Sequence, residues 1–556
     1  MPENSTPLKM IPLGGLGEIG LNMMVLEYGD SIMVLDCGLM FPEDFMLGVD
    51  VVIPDFDYLR QNPHKKVAGI VLTHSHEDHI GALPYLLREI DAPVYGTPFT
   101  LGLVHKKLEE REPPVKAILI EIKPRHRVRI GPFLVEPVKV GHSVVDGVGL
   151  AIYTPVGLVV HTGDFKITHD SGKFGTTDVA RFAQLGEEGV LALFSDSTNA
   201  EKEGYTISEN TIGKTLDEIA RTSPGRMIVA VFASNIPRIC QVVASAKKKG
   251  AKICFNGRSI EASVQIARQL GYLDITDDML IDVEELEDYP DNEVVIITTG
   301  SQGEPMSALA RIVSGTHRQI KVTKNDTFVL SSKFIPGNEK AIAQIINRLY
   351  RLGAEVIYEK ISDIHVSGHA FREELKLMIQ LVKPRNFIPV HGEYRHLTHH
   401  ARLGVQMGIP ETNILIVENG SVVSFEDGRA SVTGNVETGR TLIDGKGIGD
   451  VGRSVLRERR ALSEHGVVVV SLVLDAETGY VLYGPDITSR GFVFEMEKGH
   501  LLTDAVCEIV DLVENTDMSS SERIPAIKKE IQRVLRRHFS FVIQRKPVIV
   551  PIIIEI

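Results

Sequence analysis

A chain of 556 residues, 43% hydrophobic and 24% charged, has globular composition and length for roughly three or four domain-sized units; a disordered protein and a small disulfide-stapled scaffold are both excluded. Its net charge of -13 excludes binding of nucleic acid by bulk attraction, so a polyanion would have to meet basic residues or metal ions lining a narrow channel. Residues Met1 to Pro7 carry no basic segment followed by an apolar stretch, and no apolar run approaches the roughly 20 residues that span a bilayer, so a cytoplasmic protein without a membrane partner is expected. Cys37, Cys240, Cys254 and Cys507 lack CxxC spacing and read as buried free thiols.

In chain order, Met10 to Leu13, Met23 to Tyr28 and Ser31 to Leu35 alternate with turns and open a sheet. Val67 to Leu72 is a further apolar strand, a polar cluster follows it, and Ile80 to Glu89 has helical periodicity. Polar chemistry thus falls at a strand's C-terminal end, where open α/β sheets place ligands. Residues 116 to 166 return to short strands separated by Pro and Gly, expected antiparallel. From about 206 to 360, strands (Met227 to Ala233, Lys252 to Asn256, Val294 to Thr299, Thr327 to Ser332) alternate with helices (Ile236 to Lys249, Ile260 to Leu270, Glu339 to Leu352), which predicts a parallel sheet with its own core. Gly445 to Arg460 reads as a connector to a last unit, with a strand Val467 to Leu474, helices His500 to Glu514 and Arg523 to Phe539, and an apolar final strand Val548 to Ile556 that must be buried within the subunit or across an interface.

The sharpest local signal is His74-Ser75-His76-Glu77-Asp78-His79, four potential metal ligands in six residues directly after a strand. Extended backbone aims His74 and His76 the same way, while Asp78 and His79 sit where the chain turns into a helix. Imidazoles with a carboxylate suit zinc, manganese or iron, and histidines bring nothing to a helix cap. The spacing resembles the HxHxDH motif of the metallo-β-lactamase superfamily, whose fold is an αββα sandwich. That resemblance implies further ligands at later strand ends, and His142 in Gly141-His142-Ser143 and Asp164 in His161-Thr162-Gly163-Asp164 follow in order. Asp36 resembles the aspartate that orients ligand histidines; His161 matches no ligand position.

The next ligand candidate, His391 in Val390-His391-Gly392-Glu393, comes only after the α/β block. A domain inserted between ligands resembles the β-CASP subfamily, which acts on nucleic acids. Phe194-Ser195-Asp196-Ser197-Thr198-Asn199 resembles its motif A, with Asp196 as acid or proton donor; His365-Val366-Ser367-Gly368-His369 resembles motif B, with His369 as general acid or base; Val390 to Glu393 resembles motif C. Within the subfamily the likeness to bacterial ribonuclease J runs over nearly the whole chain, including Pro12 to Asn22, Gly300 to Pro305 and Gly315 to Arg318. It implies an α/β chain divided as 1–205 lactamase-type, 206–370 inserted β-CASP, 371–446 return segment, 447–460 linker and 461–556 a small α+β domain serving oligomerisation or the RNA path.

The resemblance further implies a ribonuclease with 5′-to-3′ exonuclease and endonuclease activity on single-stranded RNA, a preference for 5′-monophosphate ends, roles in RNA maturation and mRNA decay, and homodimers or homotetramers with RNA-degradation partners. Two zinc ions per subunit, with manganese or magnesium as substitutes, would be held by His74, His76 and His142 on one side and Asp78, His79 and His391 on the other, bridged by Asp164. Ser234, Asn235 and Ile236, with His365, Val366, Ser367, Gly368 and His369, would contact the nucleotide, and Asp50 and Asp444 would hold a structural calcium. A metallohydrolase for a small ester or thioester, which the inserted lobe disfavours, and a non-catalytic RNA-binding paralogue, whose ligand set would be broken, are the alternatives.

Overall fold

The computed structural model describes residues 6–168, 176–302, 304, 307–332, 338–359, 361, 364, 366–492, 499–515 and 523–556. The chain divides into two compact units, Met1–Phe41 with Val52–Thr441, and Pro42–Val51 with Leu442–Ile556.

In the larger unit, Leu8–Gly14, Met23–Tyr28 and Ser31–Leu35 form an antiparallel meander. Lys66–Val71, Val94–Gly96 and Leu119–Glu121 extend it in parallel, and Ser421–Glu426 with Arg429–Asn435 complete the other edge of an eight-stranded sheet. A six-stranded sheet runs Asn386–Val390, Val190–Asp196, Gly157–His161, Val148–Thr154, Phe133–Lys139, Val128–Ile130. The antiparallel expectation for 116–166 holds from Val128 to His161, whereas Leu119–Glu121 lies parallel to Val94–Gly96 in the first sheet.

Alternation along the strands decides how the sheets meet. Met10, Leu26, Met33 and Val71 of the first sheet share one buried cluster with Phe133, Val135, Leu150 and Phe194 of the second. Each such side chain contributes about 1.5–3 kcal/mol on burial, and a one-residue slip would turn a whole strand's set outward, so register is fixed. The far face of the six-stranded sheet packs Val138, Val160 and Leu193 against Phe182 of helix Val179–Glu188 and Leu375 and Met378 of helix Arg372–Val382.

Between Glu209 and Ile357 five parallel strands stand in the order Lys252–Asn256, Val294–Thr298, Met227–Ala230, Thr327–Leu330, Glu355–Ile357, as the alternating pattern predicts. Helices cover both faces, so these strands read as continuous apolar runs. The chain enters this lobe near Thr206 and leaves it near Phe371, and buried Glu374 ties both crossings down. Its carboxylate accepts the backbone N–H groups of Thr206 at 2.9 Å, Phe371 at 2.9 Å and Ile167 at 2.8 Å. A buried carboxylate without such donors would be strongly unfavourable, so the three segments are held together.

The smaller unit has a sheet ordered Val481–Arg490, Val467–Leu474, Val548–Glu555. Val468, Val470, Leu472 and Leu474 face Ile509 of helix Gly499–Glu514 and Ile531, Leu535 and Phe539 of helix Arg523–Ile543. Among the described residues the helices cover one face: Ile549 is buried, whereas Val550, Ile552 and Ile554 are exposed in the single subunit, so of the two expected ways of burying the final strand the subunit itself supplies only part. Cys507 is likewise exposed, two positions off the Ala505–Ile509–Val513 stripe that enters the core; Cys37 and Cys254 are buried as expected.

Two sequence expectations change in detail. The helix expected over 80–89 is two short helices, Glu77–Ile80 and Leu83–Leu86, because Pro84 cannot donate to a preceding turn and instead starts a new one. The connector expected over 445–460 includes the start of helix Arg453–His465, none of whose side chains is buried.

Candidate metal centre

Strand register brings distant side chains to one edge of the sandwich. Leu35 pairs with Val71, so Asp36 and Thr73 emerge side by side. Asp36 accepts the Thr73 backbone N–H and hydroxyl, each at 2.8 Å, and lies 2.8 Å from Nδ1 of His79, fixing that ring. In the second sheet His161 pairs with Phe194 and Asp196 with Val390, which delivers Asp164, Asp196 and His391 from three adjacent parallel strand ends. His391 has φ 54°, the left-handed backbone that turns the chain sharply after the strand.

His74, His76 and His142 converge: Nδ1 of His76 lies 3.0 Å from Nε2 of His74 and 3.2 Å from Nε2 of His142. Oδ2 of Asp164 lies 3.7 Å from Nε2 of His74, 3.8 Å from Nε2 of His142 and 3.3 Å from Nε2 of His79. Oδ2 of Asp78 lies 3.6 Å from Nε2 of His79 and 3.5 Å from Nε2 of His391. Among the described residues three groups have one ligand atom each within 4.8 Å of one another: His74, His76, His142 and Asp164; Asp78, His79 and His391; and Asp164, Asp196, His369 and His391.

The electrostatics fit divalent metal. Burial pushes the His74 and His142 imidazoles well below their ordinary value and His76 down to about 4, leaving neutral rings with lone pairs to share. Burial also pulls on His79 and His391, but Asp164, Asp78 and Asp36 outweigh it at His79, and Asp164, Asp196 and Asp78 raise His391 to about 10. The carboxylates thus demand positive charge, which protons supply when no ion does.

Beside this cluster, Nδ1 of His369 lies 2.8 Å from Oδ2 of Asp196, whose Oδ1 accepts the Thr198 N–H at 2.9 Å and lies 3.3 Å from Nδ1 of His391. Burial favours a protonated Asp196, but His369 and His391 outweigh it and hold the carboxyl well below the usual range. Placed between them, the Asp196 carboxylate is an acceptor that orients both imidazoles.

Four family models match: the metallo-β-lactamase superfamily over residues 16–202, the ribonuclease J β-CASP domain over 224–349, a Zn-dependent metallo-hydrolase RNA specificity domain over 353–416, and the ribonuclease J C-terminal domain over 454–556. Ribonuclease J2 of Bacillus subtilis (strain 168) is 40% identical over 554 residues, spanning 100% of each chain. The chain belongs to the ribonuclease J family. Ribonuclease J 1 of Streptococcus pyogenes serotype M3 is 42% identical over 98% of this chain and 96% of its own, and ribonuclease J of Helicobacter pylori (strain B128) is 41% identical over 90% and 73%. A crystal structure of a protein of unknown function from Enterococcus faecalis V583 shares the fold, with TM-score 0.53 and 14% identity over 75% of this chain and 100% of its own. The chain is therefore a metal-dependent ribonuclease, built as a metallo-β-lactamase domain with an inserted β-CASP domain and a ribonuclease J C-terminal domain.

The remaining residues expected from the ribonuclease J resemblance separate clearly. Ser367 and Gly368 stand at the cluster: Oγ of Ser367 accepts Nδ2 of Asn199 at 2.7 Å and the His369 N–H at 3.2 Å, and Nδ1 of His142 lies 2.7 Å from the Gly368 carbonyl oxygen. His365 lies outside the described residues, and Val366 is buried in the inserted lobe's core. Ser234, Asn235 and Ile236 stand at a helix start: Asn235 caps Ile236–Lys249 by accepting the Arg238 N–H at 3.1 Å, Ser234 is half-buried and Ile236 is fully buried. In the smaller unit Asp50, one of the two carboxylates expected to hold calcium, accepts the Gly445 N–H at 2.8 Å, and Asp444, the other, pairs with Arg459. His161 is half-buried, desolvation holds it down to about 4, and its Nδ1 accepts the Gly163 N–H at 2.9 Å; it braces the turn before Asp164.

Sequence reasoning missed the contact between His142 and Gly368, which no local pattern announces. A Cβ on Gly368 would lie 2.6 Å from Cε1 of His142. Gly368→Ala is therefore expected to displace that ring, lowering metal affinity and turnover roughly 10–100-fold, the effect of losing an outer-shell partner; normal metal content with full activity would count against the coupling. A second expectation follows from His79 and His391. Their carboxylate neighbours favour the charged form of both rings in the absence of an ion, so divalent-metal uptake near neutral pH is expected to release protons and to weaken as pH falls. Calorimetric titration in buffers of different protonation enthalpy measures the number, and a heat independent of buffer refutes it.

Proposed function

We propose that this ribonuclease degrades single-stranded RNA from the 5′ end and also cuts internally, prefers 5′-monophosphate ends, and acts in RNA maturation and mRNA decay as a cytoplasmic homodimer or homotetramer. The reading takes two zinc ions per subunit, one held by His74, His76 and His142, the other by Asp78, His79 and His391, with Asp164 between them and Asp36 orienting His79. The observation that carries it is the convergence of these groups on Asp164 beside the His369–Asp196 pair.

Divalent ions bound there supply Lewis-acid polarisation of the scissile phosphate and bring the pKa of a bound water toward neutrality. The protein's own groups do the rest. Asp196 accepts from Nδ1 of His369 and stabilises its imidazolium, leaving Nε2 to deliver a proton to the leaving oxygen. Ser367 uses its oxygen as acceptor for Asn199 and His369, which leaves the hydroxyl hydrogen to donate to a phosphate oxygen.

The decisive experiment joins metal analysis of the purified protein to cleavage of end-labelled RNA bearing a 5′-monophosphate or a 5′-hydroxyl. Zinc near two per subunit and faster loss of the monophosphorylated strand are expected. Ser367→Ala should lower the ratio of the two rates roughly tenfold, about the effect of one charge-assisted hydrogen bond, and an unchanged ratio removes Ser367 from recognition of the end.

A further inference from the structure

The acidic chain concentrates positive charge on one helix of its smaller unit. Helix Arg523–Ile543 carries six Lys or Arg residues against one Glu. Its core face is fixed by Ile527, Ile531, Leu535 and Phe539, which are fully buried. On the other side Lys529, Arg533, Arg537 and Phe541 are all exposed and recur every fourth residue. Residues four apart lie one above another on a helix, so these side chains form a single ridge about 18 Å long, stepping about 6 Å per residue pair.

Phe541 ends this ridge with 88% of its surface exposed. A side chain of that size left in water two positions from a fully buried phenylalanine is not required by the core. Arg536 adds a further exposed cation next to Arg537, and the one acidic residue of the helix, Glu530, is 2.6 Å from Arg533. Neither Arg536 nor Arg537 forms an ion pair among the described residues. Cations in a row with an aromatic face at one end match a strand whose phosphates need neutralising and whose bases are unpaired enough to stack. A protein partner would need a strongly acidic surface and would gain little from the isolated ring.

We propose that the Lys529–Arg533–Arg537–Phe541 ridge is an auxiliary binding site for single-stranded RNA, separate from the metal centre. The proposal rests on the chain's being a ribonuclease, and adds a second point of attachment that raises affinity for long substrates by linkage. It does not ask the ridge to take part in hydrolysis.

The test uses the full chain with His76→Ala, so that RNA is not consumed, titrated by fluorescence anisotropy with a long and a short uridine homopolymer over a range of salt. Combined Lys529→Gln, Arg533→Gln and Arg537→Gln should weaken binding of the long strand roughly tenfold at low salt and make the log–log salt slope shallower by about 2, near 0.7 for each charge lost. Phe541→Ala alone should weaken it roughly fivefold with the slope unchanged, the signature of stacking. With His76 intact, both ridge variants should hydrolyse a short RNA at the parental rate. Unchanged affinity and slope for the long strand overturn the proposal, as does a variant that alters sedimentation while binding RNA normally, since the ridge would then be a protein interface. Failure of the parental enzyme to cleave RNA would strike the nuclease reading and leave the binding comparison intact.

Discussion

Replacing His76 by Ala is expected to lower RNA hydrolysis roughly 10³-fold or more while RNA binding persists. His76 is the hub of the histidine cluster, with Nδ1 within 3.0 Å of His74 and 3.2 Å of His142. Removing it takes one donor from three converging imidazoles and leaves His74, His142 and Asp164 to hold an ion of weakened polarising power. Metal polarisation of a phosphate contributes several kcal/mol to the transition state, and about 4 kcal/mol corresponds to three orders of magnitude in rate. Stability should change little, because burial keeps the His76 ring neutral and it anchors no strand. The measurement is single-turnover cleavage of end-labelled RNA with metal content determined on the same sample. Full turnover by the purified variant would remove His76 from the site.

The same residue shows what a sequence can disclose. His74, His76, Asp78 and His79 are legible because one strand end delivers all four within six positions. His142, Asp164 and His391 are not legible alone; an isolated histidine beside a glycine is commonplace, and only the order implied by family resemblance singles them out. What places them is pairing between strands far apart in the chain, such as Asp196 opposite Val390, and no local pattern carries that register. The surroundings of Asp196 are hidden for a related reason: its partners His369 and His391 are brought there by two different segments.

In the fold, periodicity found the parallel inserted sheet because both its faces are covered and its strands are uniformly apolar. It failed where a single residue overrides pattern, as Pro84 does in dividing the helix expected after the cluster. It leaves open how a strand is covered, since an apolar strand looks the same in sequence whether Ile552 meets its own subunit or is exposed on it. Glu374 was invisible for the opposite reason. In sequence it is one acidic residue in a helix's first turn; in the structure it joins the two crossings of the inserted lobe to the segment behind Asp164.

His369→Ala should lower turnover roughly 10²–10⁴-fold, the usual contribution of a positioned general acid. Its metal content should be unchanged if His369 serves the leaving group. The nature of the leaving oxygen separates the two roles. A ribose oxygen leaves as a strongly basic alkoxide unless it receives a proton, whereas p-nitrophenolate departs without one. The penalty of His369→Ala should therefore be large on RNA and nearly absent on a p-nitrophenyl phosphodiester. Asp196→Asn should follow the same pattern more mildly on the leaving-group side, because Nε2 of His369 survives while its orienting carboxylate does not. It should also perturb metal binding through Nδ1 of His391, 3.3 Å from the same carboxylate, which His369→Ala should not. Equal penalties on both leaving groups would show that His369 holds structure or metal and that the proton comes from elsewhere.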